Sequence, residues 1–341
     1  MKKYITKSNL TIAALIFAIA ILTTASVLIS QTMSSPNALS ESQIIELKPG
    51  ATIRSLAAQL EQHDLIKYPK ILILWTRLNG DAKHLQAGEY IIHPAMTLSD
   101  LIDNITTGRV HQYSLKLLEG WTFKEFMQAI NSNEAIDHNL INSSQKEILE
   151  QLEINYDHPE GLFFPETYHI HKNISDLDVL KRAHELMKKN LHDLWDERDE
   201  GLPFETPYEA LILASIVEKE SAVPEERALI AGVFINRLRK NIRLQTDPTV
   251  IYGIGDKYDG DIRFRDLRTD TPYNTYTRKG LPPTPIAMPG FGSIKAVMHP
   301  AKTDYLYFVA INDNSGRHKF SSTLVEHNKA VDQYQRKHNK K

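Results

Sequence analysis

The sequence predicts an α+β protein built as a single N-terminal transmembrane helix, a small α+β module and a larger mixed α+β domain. Three features predict this. Leu10 to Ile29 runs about twenty residues without a charge, long enough to cross a hydrocarbon core as a helix. A threonine-capped passage from strand to helix then recurs: Gly50-Ala51-Thr52-Ile53, Ala95-Met96-Thr97-Leu98 and Gly120-Trp121-Thr122-Phe123. Beyond it, well-started helices alternate with segments crowded by Pro and Gly. A length of 341 residues suits roughly two folded units at about 150 residues each.

Composition excludes more than it identifies. A net charge of -2 with 24% charged residues offers no footprint for nucleic acid. No cysteine is present, so disulfides and thiolate metal sites are ruled out. The histidines are scattered without H-E-x-x-H spacing, and no nucleotide-binding glycine loop occurs, so no metal or cofactor is implied.

Lys2, Lys3 and Lys7 precede the apolar run, and the next charge is Glu41. Basic residues stay on the cytoplasmic side, so residues 1–9 form a cytoplasmic tail, residues 10–29 the span, and the rest lies outside. A cleaved signal peptide would need a shorter apolar core and a small-residue cleavage site, whereas Ser30-Gln31-Thr32-Met33 follows here. Residues 30–43, rich in Ser, Asn and Gln, read as a flexible linker.

Residues 44–112 form the small module. Strands are expected at Gln43–Leu47, Glu89–His93 and Tyr113–Leu118, with helices opening after Thr52, Thr97 and Thr122. Thr122 has Glu125 three residues on, a capping box, and Trp121 can staple against Phe126. The stretch ending "LQAGEYIIHPAMTLSDLIDNITTG" resembles the LysM-like module of the YceG-like endolytic murein transglycosylases. That resemblance implies either a glycan tether or a packing domain that positions the rest.

Residues 113–341 carry the chemistry. "EGLFFPETYHI", Glu160 to Ile170, puts Phe163, Phe164 and Tyr168 beside Glu166. Such aromatics suit stacking on sugar rings, or else form a buried cluster that anchors a loop. Thr206-Pro207-Tyr208-Glu209 starts a helix that runs through "ALILASIVEKESA". Only Ser215 is polar between Ala210 and Val217, and Ala214, Val217, Glu218 and Ser221 share one face. A carboxyl on such a face should be desolvated, which favours its neutral, proton-donating form. Glu218 could equally begin the solvated end of the helix, paired with a cation. Glu220 projects about 200° away and is the reference carboxylate. Pro224-Glu225-Glu226 opens the next helix, which runs to about Lys240. Asp247, in "LQTDP", fits an Asx turn or a site, and Tyr273-Asn274-Thr275-Tyr276 should lie on a rigid loop.

Together, Glu160 to Ile170, "ASIVEKES", "LQTDPTVIYG", "YNTYTRKGLPPTPI" and "YLYFV…HKFS…EHN" resemble the catalytic domain of the YceG-like endolytic murein transglycosylases, in the family's order. The resemblance implies that Glu218 is the catalytic acid and base. It also implies that Gln245, Asp247, Tyr273, Asn274 and Tyr276 line the cleft, with Glu166 and Ser221 as further contacts. Thr284 departs from the Gly usual in the family's L-P-P-G-P turn. A lytic transglycosylase needs one acid, whereas an ordinary glycosidase needs two. The implied substrate is nascent peptidoglycan beside the inner membrane, cut to 1,6-anhydromuramic ends so as to terminate strands, with cell-wall synthases as neighbours. Two alternatives stand beside it. A hydrolytic muramidase would use Glu218 with Asp247 or Glu166 on water, and a non-enzymatic anchor would bind glycan without cutting it.

Overall fold

A computed structural model describes residues 7–221 and 223–336. Lys2 and Lys3, which orient the apolar run, lie outside the described residues. The chain divides into two compact units. One runs to Tyr113 and takes in Ile170–Lys172, and the other comprises Ser114–His169 and the chain from Asn173 onward.

In the first unit, helix α1 (Lys7–Ser34) contains the apolar run and continues past it. Strand β1 (Gln43–Leu47) pairs antiparallel with β2 (Gly88–Ile92), Ile45 opposite Tyr90. Helices α2 (Ile53–Gln62), α3 (Pro69–Asn79) and α4 (Leu98–Thr107) complete it. Thr52 and Thr97 cap α2 and α4 with reciprocal capping boxes. The core gathers the inward side chains of both strands and the apolar stripes of the helices, among them Ile45, Leu56, Leu60, Leu72, Tyr90 and Ile105.

Residues 30–43 are not a loose tether. Helix α1 persists to Ser34, Met33 is 2% exposed within the core, and Ile29 packs against it. Pro36 bridges Thr97, and Asn37 bonds through its backbone to Met96 and through its side chain to the His93 and Met96 carbonyls. Polar composition pointed to a linker because these contacts use the backbone and one Asn, which leave no apolar signature.

The second unit is mainly helical: α5 (Phe123–Asn131), α6 (Gln145–Gln151), α7 (Asp176–Asp196), α8 (Pro207–Glu220), α9 (Arg227–Arg239), α10 (Asp247–Ile254), α11 (Phe264–Arg268), α12 (Phe291–Met298) and α13 (Leu324–Val331). An antiparallel hairpin, Tyr307–Ala310 with His318–Ser321, sits against α9 and α13. The Thr122–Glu125 capping box forms, and Trp121 meets Phe126 edge-on at 6.3 Å. Thr206 caps α8 as expected, but the Glu209 carboxylate accepts the Glu205 N–H rather than closing the box on Thr206. Pro224–Glu226 forms a tight 3₁₀ turn ahead of α9 instead of its first α turn.

Helix α8 is the axis of this unit. It packs against α7, α9, α10 and α12, and every residue from Ala210 to Val217 is buried. Ser215, the one polar member, donates to the Ile212 carbonyl at 2.7 Å and accepts the Ile286 N–H at 3.0 Å. A Cβ at Gly232 on α9 would stand 2.7 Å from the Ala301 carbonyl oxygen, so only glycine lets that helix approach. The "LFFP" aromatics belong to the core: Phe163 is wholly buried and tilts on Phe123 at 5.3 Å, and Phe164 and Tyr168 are buried too. They are closed to a sugar ring.

Candidate active site at the end of helix α8

Two carboxylates leave the last turn of α8 on opposite sides. On one side the Glu218 side chain is 6% exposed, and its Oε2 accepts the Gly290 N–H at 2.9 Å. Its Oε1 lies 3.5 Å from Arg227 Nη2, and the same guanidinium reaches Glu119 at 3.6 Å. A Cβ at Gly290 would collide with the Glu119 carboxylate, so glycine is what lets these acids close over the backbone. Burial, with the Glu218 charge beside it, pushes the Glu119 carboxyl above the usual carboxylate range. Glu218 thus has a backbone donor on one oxygen and a cation facing the other.

On the other side Glu220 lies mostly buried at one wall of a cleft of about 560 Å³. Its Oε1 accepts the Thr246 hydroxyl. Burial pushes its carboxyl up, and the charge of Asp247 adds to this, against opposing contributions from the Thr246 hydrogen bond, His318 and Arg237. Gln245, Asp247, Tyr276, Tyr307, His318 and His327 line the same cleft. Segments distant in sequence meet here: the "EKES" end of α8, the "LQTDP" turn, the "YNTYT" loop, the hairpin and α13.

Buried hydroxyls hold the cleft rigid. The Thr246 N–H donates to Thr275 Oγ1 at 3.0 Å, Thr249 and Thr275 hydroxyls lie 2.9 Å apart, and the Gln245 N–H reaches the Thr275 carbonyl at 3.2 Å. Gln245 adopts φ 52°, a left-handed conformation that turns the chain into α10. Arg237 donates to the Leu306 and Leu244 carbonyls at 2.6 and 2.7 Å, pinning the hairpin to the "LQTDP" turn, and stands 5.2 Å over the Tyr307 ring. Glu226 accepts both the His318 backbone N–H and its Nδ1–H, the latter at 2.9 Å, which fixes that ring.

The expected contacts separate into two groups. Gln245, Asp247 and Tyr276 reach the cleft, where Asp247 accepts the Tyr276 hydroxyl. Asn274 does not: it is 1% exposed, its Nδ2 donates to the Asp266, Leu267 and Thr269 carbonyls, and its Oδ1 accepts the Tyr276 N–H. It is the staple of its loop. Ser221 is likewise buried, its hydroxyl spent on the Val223 carbonyl at 2.9 Å. Tyr273 turns to Thr284 at 2.9 Å and packs edge-on against Tyr252, and Glu166 is exposed beside Glu119. Thr284, the departure from the family turn, therefore serves as the partner of Tyr273. Glu218 is not among the residues that line this cleft.

Sequence reasoning passed over Glu220, Arg237, Tyr307 and His318. With α8 buried all round, no one face of it is distinguished, so an apolar face could not choose between Glu218 and Glu220. Thr246, which meets Glu220, was visible in "LQTDP" only as a neighbour of Asp247.

The YceG-like family model matches residues 45–333. The chain belongs to the YceG-like family. The endolytic murein transglycosylase of Bacillus subtilis strain 168 is 33% identical over 308 residues, 85% of this chain and 84% of that protein. That of Streptococcus pneumoniae D39 is 27% identical over 84% of this chain but only 57% of its own length. Among solved structures, a YceG-like protein from Listeria monocytogenes aligns with TM-score 0.54 and 31% identity, covering 85% of this chain and 99% of that one. The matched span takes in both the Glu218 and the Glu220 surroundings.

Proposed function

We propose that this YceG-like protein is an endolytic peptidoglycan lytic transglycosylase with Glu218 as its acid and base. The observation that carries this is the setting of Glu218, a side chain 6% exposed with the Gly290 N–H on one oxygen and Arg227, shared with Glu119, facing the other. The names of the Bacillus and Streptococcus relatives support the activity.

A general acid and base must hold its proton at a fixed place, and the Gly290 N–H and Arg227 fix the Glu218 carboxyl there. In the proposed reaction Glu218 gives its proton to the glycosidic oxygen leaving C1 of N-acetylmuramic acid. The resulting carboxylate then takes the proton of the same sugar's C6 hydroxyl as that oxygen closes on C1. The product is a 1,6-anhydromuramic end, water is not consumed, and the acid is restored. The Gly290 N–H holds one carboxylate oxygen, so the proton moves on the other. Gln245 and the Tyr276–Asp247 pair supply polar groups for the sugar's hydroxyls and acetamido group.

Asp247 in the same cleft favours one other reading, a hydrolase in which it activates water. Digestion of glycan strands in ¹⁸O-labelled water separates the two. Anhydro ends free of label support the transglycosylase, and labelled reducing ends support the hydrolase.

The apolar helix Leu10–Ser34, whose most apolar stretch is not buried, supports a single-pass anchor, with the folded units outside the cytoplasmic membrane. In that position the enzyme would cut nascent strands and end their elongation. The first unit would then serve as a glycan tether, tested by sacculus binding with and without it.

A further inference from the structure

The first unit carries a groove that the cutting of glycan does not use. It measures about 420 Å³ and opens between the last turns of α1 and the loop before α3. Leu28, Gln31 and Thr32 of α1, Lys67 and Tyr68 ahead of α3, and Thr97 are among the residues that line it. Lys67 is the one charged residue along it. Tyr68 is 45% exposed and Leu28 is 46% exposed, while the Lys67 ammonium stands 5.6 Å from the Tyr68 ring.

The register of α1 sets the height of this groove, on the reading that α1 spans the membrane. Leu10 to Ile29 at ~1.5 Å per residue covers about 30 Å, the thickness of the hydrocarbon core. Leu28 then sits at the edge of the hydrocarbon, and Thr32 about one turn beyond it among the headgroups. Ile29 and Met33 pack into the core of the unit, so no flexible segment separates this groove from the bilayer surface. One cation, several hydroxyl and amide groups and an apolar wall continuous with the lipid-facing helix match the phosphate, glycerol and first acyl carbons of a phospholipid. Tyrosine and lysine favour that interfacial depth.

We propose that this groove binds the headgroup of an anionic phospholipid in the leaflet where α1 emerges, with Lys67 on its phosphate, so that the first unit rests on the membrane. The anchor and the unit then form one body of fixed height.

The chain has no native cysteine, so single-cysteine labelling is clean. The full chain is reconstituted in mixed phosphatidylcholine–phosphatidylglycerol vesicles with a fluorophore at Ile19→Cys or Tyr68→Cys. A spin label on the acyl chains should quench the first, and one at the headgroup should quench the second. Quenching at Ile19→Cys with only aqueous quenching at Tyr68→Cys would overturn the lipid site while leaving the anchor intact. Absence of lipid quenching at Ile19→Cys would overturn the anchor, and the site with it. In native mass spectrometry of the full chain in detergent, Lys67→Glu should lower phosphatidylglycerol retention at least about fivefold, the worth of one cation near an anionic surface. Retention equal to wild type, or displacement of the lipid by soluble glycerol phosphate, would also overturn the proposal.

Discussion

Glu160 should make the folded chain lose stability as the pH rises toward neutral. It is 3% exposed, its Oε1 accepts the Phe123 N–H at the start of α5 at 2.9 Å, and its Oε2 accepts the Tyr252 hydroxyl of α10 at 3.0 Å. Burial outweighs both hydrogen bonds and lifts the carboxyl from 4.5 to about 7. That difference makes the ionised form about 3 kcal/mol costlier in the folded chain than in the unfolded one. Below about pH 4.5 both states carry the proton and no penalty arises. Between 4.5 and about 7 the folded state keeps a proton that the unfolded state has released, so stability falls by that amount and stays lower above. Glu160→Gln imitates the protonated form. Its carbonyl can keep the Phe123 bond while its amide donates to Tyr252, whose own proton turns to Thr284. Urea unfolding of both proteins across this range should show the variant gaining about 3 kcal/mol on wild type between about pH 4.5 and about pH 8. Parallel stability curves would refute the reasoning.

Asn274→Ala strips the staple from the "YNTYT" loop and leaves buried backbone groups without partners, so it should cost about 3 kcal/mol or more in unfolding free energy. A fully stable variant with only a raised KM would return Asn274 to the role of a sugar contact. Asp247→Asn removes the negative neighbour that helps hold the Glu220 carboxyl up. The Glu220 proton should then leave at lower pH, so urea unfolding should show a smaller loss of stability from acid to neutral pH than in wild type, while turnover persists. Loss of all turnover would favour Asp247 as the activator of water.

Much of the fold was legible because it rests on local chemistry. The three capping threonines, the strand Gln43–Leu47 and the start of α8 stand where residue type and spacing put them. What could not be read depends on partners far along the chain. Glu218 and Glu220 differ in surroundings through Arg227 and Gly290 on one side and Thr246 on the other, contacts that spacing within α8 does not encode. Asn274 was a reasonable sugar contact as a polar residue among tyrosines, yet the curl of its own loop turns the amide inward onto three carbonyls. His318 gains its fixed ring from Glu226, 92 residues away.

The decisive comparison is between Glu220→Gln and Glu218→Gln, each purified as the full chain and assayed on glycan strands for turnover and for anhydro ends. Loss of general acid and base chemistry typically costs ~10²–10⁴-fold, so Glu218→Gln should fall by that much while still binding glycan. Glu220→Gln keeps an oxygen for the Thr246 hydroxyl and removes only a neighbouring charge, so it should keep most turnover. An active Glu218→Gln protein, beside a folded Glu220→Gln protein without activity, would contradict the assignment of the acid.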